Sequence, residues 1–152
     1  MTPRTAEQLS TLFGVGRSKY APGTMGSIAA LPFAWIVLGY AGPYVLFVLS
    51  LAAAALGIWA SDIYAKHSGK SDPSECVIDE LAGQFLACSL APLSPTGFAL
   101  AFVLFRLFDI AKFWPISAAE DLPGGYGIVI DDMVAGLFAG VLVAMAAYIG
   151  LV

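Results

Sequence analysis

The chain has 152 residues, of which 59% are apolar and 12% charged, and its net charge is −4. A soluble domain carries about 25% charged residues, and so small a chain buries too little surface to hide this much apolar area from water, so lipid must be its solvent over much of the surface. The negative balance excludes a nucleic-acid binder, which needs a basic face.

Residues 1–10 are polar, include Arg4 and Glu7, and lack the apolar core of a signal peptide; they read as a short interfacial helix. Beyond them, no Asp, Glu, Lys or Arg occurs from Gly26 to Ser61, from Leu81 to Phe105 or from Met133 to Val152. Gly39, Gly42 and Pro43 break the first silent stretch, and Pro92 and Pro95 break the second, as turns between helices do. Five apolar helices are predicted, at about 27–41, 44–65, 76–91, 96–112 and 131–151. Several fall short of the roughly 20 residues that span a bilayer, so four full spans also fit. The expected fold is an all-α polytopic membrane bundle of four to five apolar helices, a single domain over 1–152.

The charges lie in three segments, 1–25, 61–80 and 106–132, which alternate with the uncharged turns at 41–43 and 91–97. Consecutive crossings would place all three segments on one membrane face. They hold all seven basic residues, so the positive-inside rule makes that face cytoplasmic.

Four polar clusters stand there. Gly14 to Ser27 combines glycines, hydroxyls, Arg17 and Lys19; it can cradle an anion at a helix start near Ser27, or form a flexible loop. Asp72 to Gln84 carries Asp79 and Glu80 into an apolar helix. Adjacent carboxylates at membrane depth need a cation, a donor or water; helix N-terminal acids favoured by the dipole are the plainer alternative. Arg106, Asp109 and Lys112 recur every three residues on one helix face, as a structural ion pair or a phosphate clamp. Gly124 to Asp132 leads into the last helix, where one of Asp131 and Asp132 can serve as cap. Gly136 and Gly140 continue the Asp132 face as a close-packing stripe, read as intramolecular.

Oxygen ligands dominate these clusters. His67 is the only histidine and reads as exposed in a polar loop; Cys76 and Cys88 read as buried thiols. An oxygen-only set favours Mg²⁺ or Mn²⁺ over zinc. One histidine excludes a two-histidine phosphatase. There is no Asp-x-Asp pair for an aspartyl-phosphate route and no Gly-x-Ser-x-Gly elbow. Metal-assisted attack by water remains.

Four motifs, Ala21-Pro22-Gly23-Thr24-Met25-Gly26-Ser27, Val77-Ile78-Asp79-Glu80 with Gly83-Gln84, Phe105-Arg106-Leu107-Phe108-Asp109-Ile110-Ala111-Lys112 and Gly124-Gly125-Tyr126-Gly127-Ile128-Val129-Ile130-Asp131-Asp132, occur in one order. Over roughly residues 12–140 the chain resembles the phosphatidylglycerophosphatase A family. Phe113 stands where the family usually has proline, and Ser117 where a basic residue often follows Trp-Pro-Ile. The resemblance implies Mg²⁺-dependent hydrolysis of phosphatidylglycerophosphate to phosphatidylglycerol and phosphate. It also implies an all-helical fold in the bacterial inner membrane, and the positive-inside pattern puts the active site on the cytoplasmic side. The resemblance points to Thr24, Asp72, Asp79, Glu80, Arg106, Asp109, Lys112, Asp131 and Asp132. In the expected division of labour Asp79, Glu80, Asp131 and Asp132 hold Mg²⁺ or activate water, and Asp109 joins them or positions a cation. Arg106, Lys112, Asp72, Thr24 and Ser27 meet the substrate. Competing readings are a phosphatase or phosphotransferase for another membrane lipid phosphate, and a small non-enzymatic transporter.

Overall fold

The computed structural model describes residues 2–152, and these residues form helices with no strand among them. Helix α1 (Pro3–Ser10) starts on a capping box between Thr2 and Thr5. A 3-10 segment (Leu12–Arg17) follows and leads to α2 (Pro22–Ala41). Gly42 alone joins α2 to α3 (Pro43–Ser68). Then come α4 (Ile78–Ser89), α5 (Pro95–Ala111), α6 (Ile116–Glu120) and α7 (Gly125–Tyr148).

By length and composition, three helices can cross a membrane: α2, α3 and α7, with 20, 26 and 24 residues. Their mean hydropathies are 1.5, 2.0 and 2.1. Helix α4 has 12 residues and α5 has 17. At 1.5 Å per residue they reach about 18 and 25 Å, short of a hydrocarbon core about 30 Å thick.

The short α4 is the centre of the bundle, packed against α2, α3, α5 and α7. From Ala82 to Ser89 every residue is buried, so beyond its first turn α4 is mostly apolar on all sides, with protein surrounding it. Its crossing with α7 is made by glycine. A Cβ on Gly136 would collide with the carbonyl oxygen of Gly83, and one on Gly140 would meet Leu90 and the Cα of Ala87. The glycine stripe is thus an intramolecular seam. The outward faces of α2, α3, α5 and α7 carry exposed Phe33, Ile36, Val48, Leu51, Val103, Leu107, Val141 and Met145, as lipid-facing helices do.

Most boundaries fall within three residues of expectation, and two helix starts differ by more. Helix α2 begins at Pro22, five residues before the predicted start at 27, because proline at the first helical position lacks only an N–H that has no partner there. Helix α7 begins at Gly125 rather than 131. Its glycines are packing positions: a Cβ on Gly125 would collide with the carbonyl oxygen of Ile58, and one on Gly127 with that of Leu122. Asp131 and Asp132 therefore sit nearly two turns inside α7 and cap nothing. Helix α6, five residues long, is not predicted at all.

Candidate active site

The start of α2, the loop before α4, the first turn of α4, the end of α5, the α6–α7 loop and the start of α7 close around one cavity of about 570 Å³. The polar segments do converge at one end of the bundle. Seven carboxylates line the cavity, those of Asp72, Asp79, Glu80, Asp109, Glu120, Asp131 and Asp132, against two cations, Arg106 and Lys112.

Asp79 and Glu80 occupy the first turn of α4, and Asp132 faces them from α7. One carboxylate oxygen from each lies within 4.8 Å of the other two. Asp79 and Asp132 are buried. Oε2 of Glu80 and Oδ2 of Asp132 are buried without a hydrogen-bond partner. Three carboxylates crowded this way repel one another and lose hydration, so each needs a proton or a shared cation. Hard oxygen donors at this spacing, with free lone pairs turned inward, fit a divalent cation of the Mg²⁺ class.

Asp131 does not join them. Its Oδ2 accepts a hydrogen bond from Lys112 Nζ at 2.8 Å, and its Oδ1 accepts one from the backbone N–H of Asp132 at 3.0 Å. Lys112 also donates to Glu120 Oε1 at 2.8 Å. Burial opposes the Lys112 charge, but these two bonds outweigh it and hold the ammonium above the ordinary lysine range. Lys112 has left the α5 helix: it is the C-cap residue, in the left-handed region at φ 41°. The expected three-residue periodicity thus places Arg106 and Asp109 on α5, and the helix end turns Lys112 towards α7.

Arg106 sits between carboxylates. Its Nη1 pairs with Asp109 Oδ2 at 2.5 Å, lies 3.8 Å from Glu80 Oε1 and donates to Ser27 Oγ at 3.5 Å. A Cβ on Gly23 would collide with Glu80 Oε1 and stand 3.2 Å from Arg106 Nη1. A side chain at this position would have to push the Glu80 carboxylate aside.

Of the predicted residues, Asp72, Asp79, Glu80, Arg106, Asp109, Lys112, Asp131 and Asp132 all line the cavity. Thr24 and Ser27 do not. The buried Ser27 hydroxyl donates to the Gly23 carbonyl at 3.0 Å and stands behind Arg106. Asp72 stays exposed in the loop before α4, and a partial loss of hydration beside the cavity pushes its carboxyl above the usual range despite nearby Lys112. Both cysteines are buried and free. Burial pushes the Cys76 thiol up to about 11, which keeps it protonated and unreactive. His67 is exposed, as expected, but in the last turn of α3 rather than in a loop, because the helix runs on to Ser68 and stops at Gly69.

Glu120 escaped the sequence reading. It lies eight residues past Lys112, and the chain reverses at Pro115 between them, so no periodicity connects the pair. Its one legible signal was membership of the polar segment 106–132.

Comparison with known proteins agrees with the geometry. The family model described as "Phosphatidylglycerophosphatase A" matches residues 8–147. A Bacteroides thetaiotaomicron protein provisionally named phosphatidylinositol-3-phosphatase is 34% identical over 149 residues, 93% of this chain and 92% of its own length. A phosphatidylglycerophosphatase A of Escherichia coli is 36% identical over 137 residues, 88% of this chain and 79% of its own length. One of Haemophilus influenzae is 34% identical over 142 residues, 92% of this chain and 87% of its own length. No solved structure matches the chain significantly.

Proposed function

Because the chain belongs to the phosphatidylglycerophosphatase A family, we propose that it hydrolyses phosphatidylglycerophosphate to phosphatidylglycerol and inorganic phosphate, with Mg²⁺ held by Asp79, Glu80 and Asp132, at the cytoplasmic face of the bacterial inner membrane. The observation that carries this reading is the group of three carboxylates within 4.8 Å, with unpartnered buried oxygens, on the same cavity as Arg106 and Lys112. With seven acids against two cations, the cavity would repel a phosphomonoester on its own. A divalent cation reverses that balance. Mg²⁺ bound there supplies neutralisation of phosphate oxygens and a more acidic water.

The chain's own residues do the rest. Arg106 and Lys112 meet the phosphate oxygens, and their hydrogen bonds grow stronger as charge spreads over the transferring group. Asp109 and Ser27 hold the guanidinium, and Asp131 with Glu120 holds the ammonium. Water oxygen attacks phosphorus as the bond to the glycerol oxygen breaks. The attacking water gives up a proton to a cavity carboxylate or to solvent, and the leaving glycerol oxygen takes one up in its place. The positive-inside pattern supports the orientation, since every basic residue lies in the segments at the cavity end.

The test is phosphate release by purified protein, with and without Mg²⁺, from phosphatidylglycerophosphate and from phosphatidylinositol-3-phosphate. Glu80→Gln and Asp132→Asn should each lower the rate more than about 100-fold, roughly 2.7 kcal/mol of barrier. Faster release from the inositol lipid would move the assignment to that headgroup. Release indifferent to chelation would overturn the metal.

A further inference from the structure

The cavity wall is not uniformly polar. Ala21 and Pro22 at the start of α2, Ile110 near the end of α5 and Leu122 after α6 form an apolar lip. Ile110 lines the cavity and is still 70% exposed, so one side chain belongs both to the cavity and to the outer surface. Helices α2 and α5 run antiparallel and touch through Trp35 and Phe98, whose ring centroids are 4.9 Å apart, and through Ser27 and Arg106. On the cavity side of that second contact, Ala21 and Pro22 of α2 and Ile110 of α5 all line the cavity. Along α5, Val103, Leu107 and Ile110 are exposed at spacings of four and three, a single outward apolar stripe that begins at this lip. Arg106 lies one helical turn from Ile110, on the cavity side.

We infer that the acyl chains of the substrate leave the cavity sideways, between the start of α2 and the end of α5 across Ile110, and run down the Val103–Leu107–Ile110 stripe into the bilayer. This rests on the lipid phosphomonoester reading above. A diacyl lipid cannot lift its chains into water to present its phosphate, because every buried methylene resists transfer. Its headgroup must enter through an opening that stays apolar from hydrocarbon to cavity, and the lip supplies one. Ile110 is then a positioning residue: it guides the chain and so aligns the phosphate with Arg106.

The experiment compares wild type, Ile110→Trp and Val48→Trp, the last adding bulk to the lipid face of α3 away from the cavity. Each is assayed on long-chain phosphatidylglycerophosphate and on the same headgroup without acyl chains. Ile110→Trp should lower kcat/KM at least tenfold on the diacyl lipid and less than twofold on the deacylated compound, with Val48→Trp changing neither. An equal loss on both substrates, or no loss on either, overturns the portal. A second readout does not depend on turnover. A phosphomonoester lipid with a diazirine near the glycerol end of its acyl chain should label residues 107–110 of wild type, in competition with unlabelled lipid. Labelling confined to other helices overturns the portal. Absence of phosphate release by wild type from any lipid tested, with labelling intact, would instead fault the catalytic reading.

Discussion

Asp131 and Asp132 are neighbours in sequence and face different partners. On a helix of 3.6 residues per turn, adjacent side chains point about 100° apart. Asp132 therefore turns to Asp79 and Glu80, and Asp131 to Lys112. The pair reads in sequence as two equivalent acids, and their separation follows from their lying inside α7 rather than at its start. Asp72 offers a separate test. Its folded-state pKa is raised, by partial loss of hydration first, so the folded chain binds this proton more firmly than the unfolded chain does. Stability is then lost as pH rises from about 4 through the raised value, and stays lower above it. Asp72→Asn, which carries no such proton, should unfold at a higher temperature than wild type near neutral pH, and the difference should shrink as pH falls towards about 4. Thermal unfolding in detergent across that range measures it. A variant less stable than wild type at neutral pH would mean that Lys112 governs this carboxylate.

At the scale of elements, α4 carries the site and does not fit the pattern of a spanning helix. Its 12 residues are held by backbone contact with α7 at Gly83 and Gly136. That contact sets the distance between Asp79 and Glu80 on one helix and Asp132 on the other. Gly136→Ala forces the helices apart, because its Cβ meets a carbonyl rather than a flexible side chain. The cost should be about 2 kcal/mol, as for other overpacked cores, seen as a lowered unfolding temperature and, on the proposed function, a higher Mg²⁺ concentration needed for half-maximal activity. Gly39→Ala is the control. Its Cβ would make an ordinary 3.5 Å contact with Leu93, and stability should hold or rise slightly with the better helix former.

At the scale of the molecule, the cavity end holds the charge and the other end almost none. If the cavity faces the cytoplasm, His67→Cys in the exposed last turn of α3 should react with a membrane-impermeant maleimide only after the cells are broken. Both native cysteines are buried and should stay silent. Labelling of intact spheroplasts would invert the orientation. Composition and the placement of charge already determined an all-helical membrane chain whose ionisable groups share one end, because burial in lipid forbids charge wherever no partner offsets it. The motifs likewise determined the family. The tertiary structure alone decided which acids meet: Asp132 and not Asp131 joins Asp79 and Glu80, Glu120 reaches Lys112 across a chain reversal, and Ser27 stands behind Arg106. Those pairings depend on where α7 starts, where α5 stops and how closely two glycine faces approach. Such distances arise from packing between segments far apart in the chain, which local periodicity does not encode.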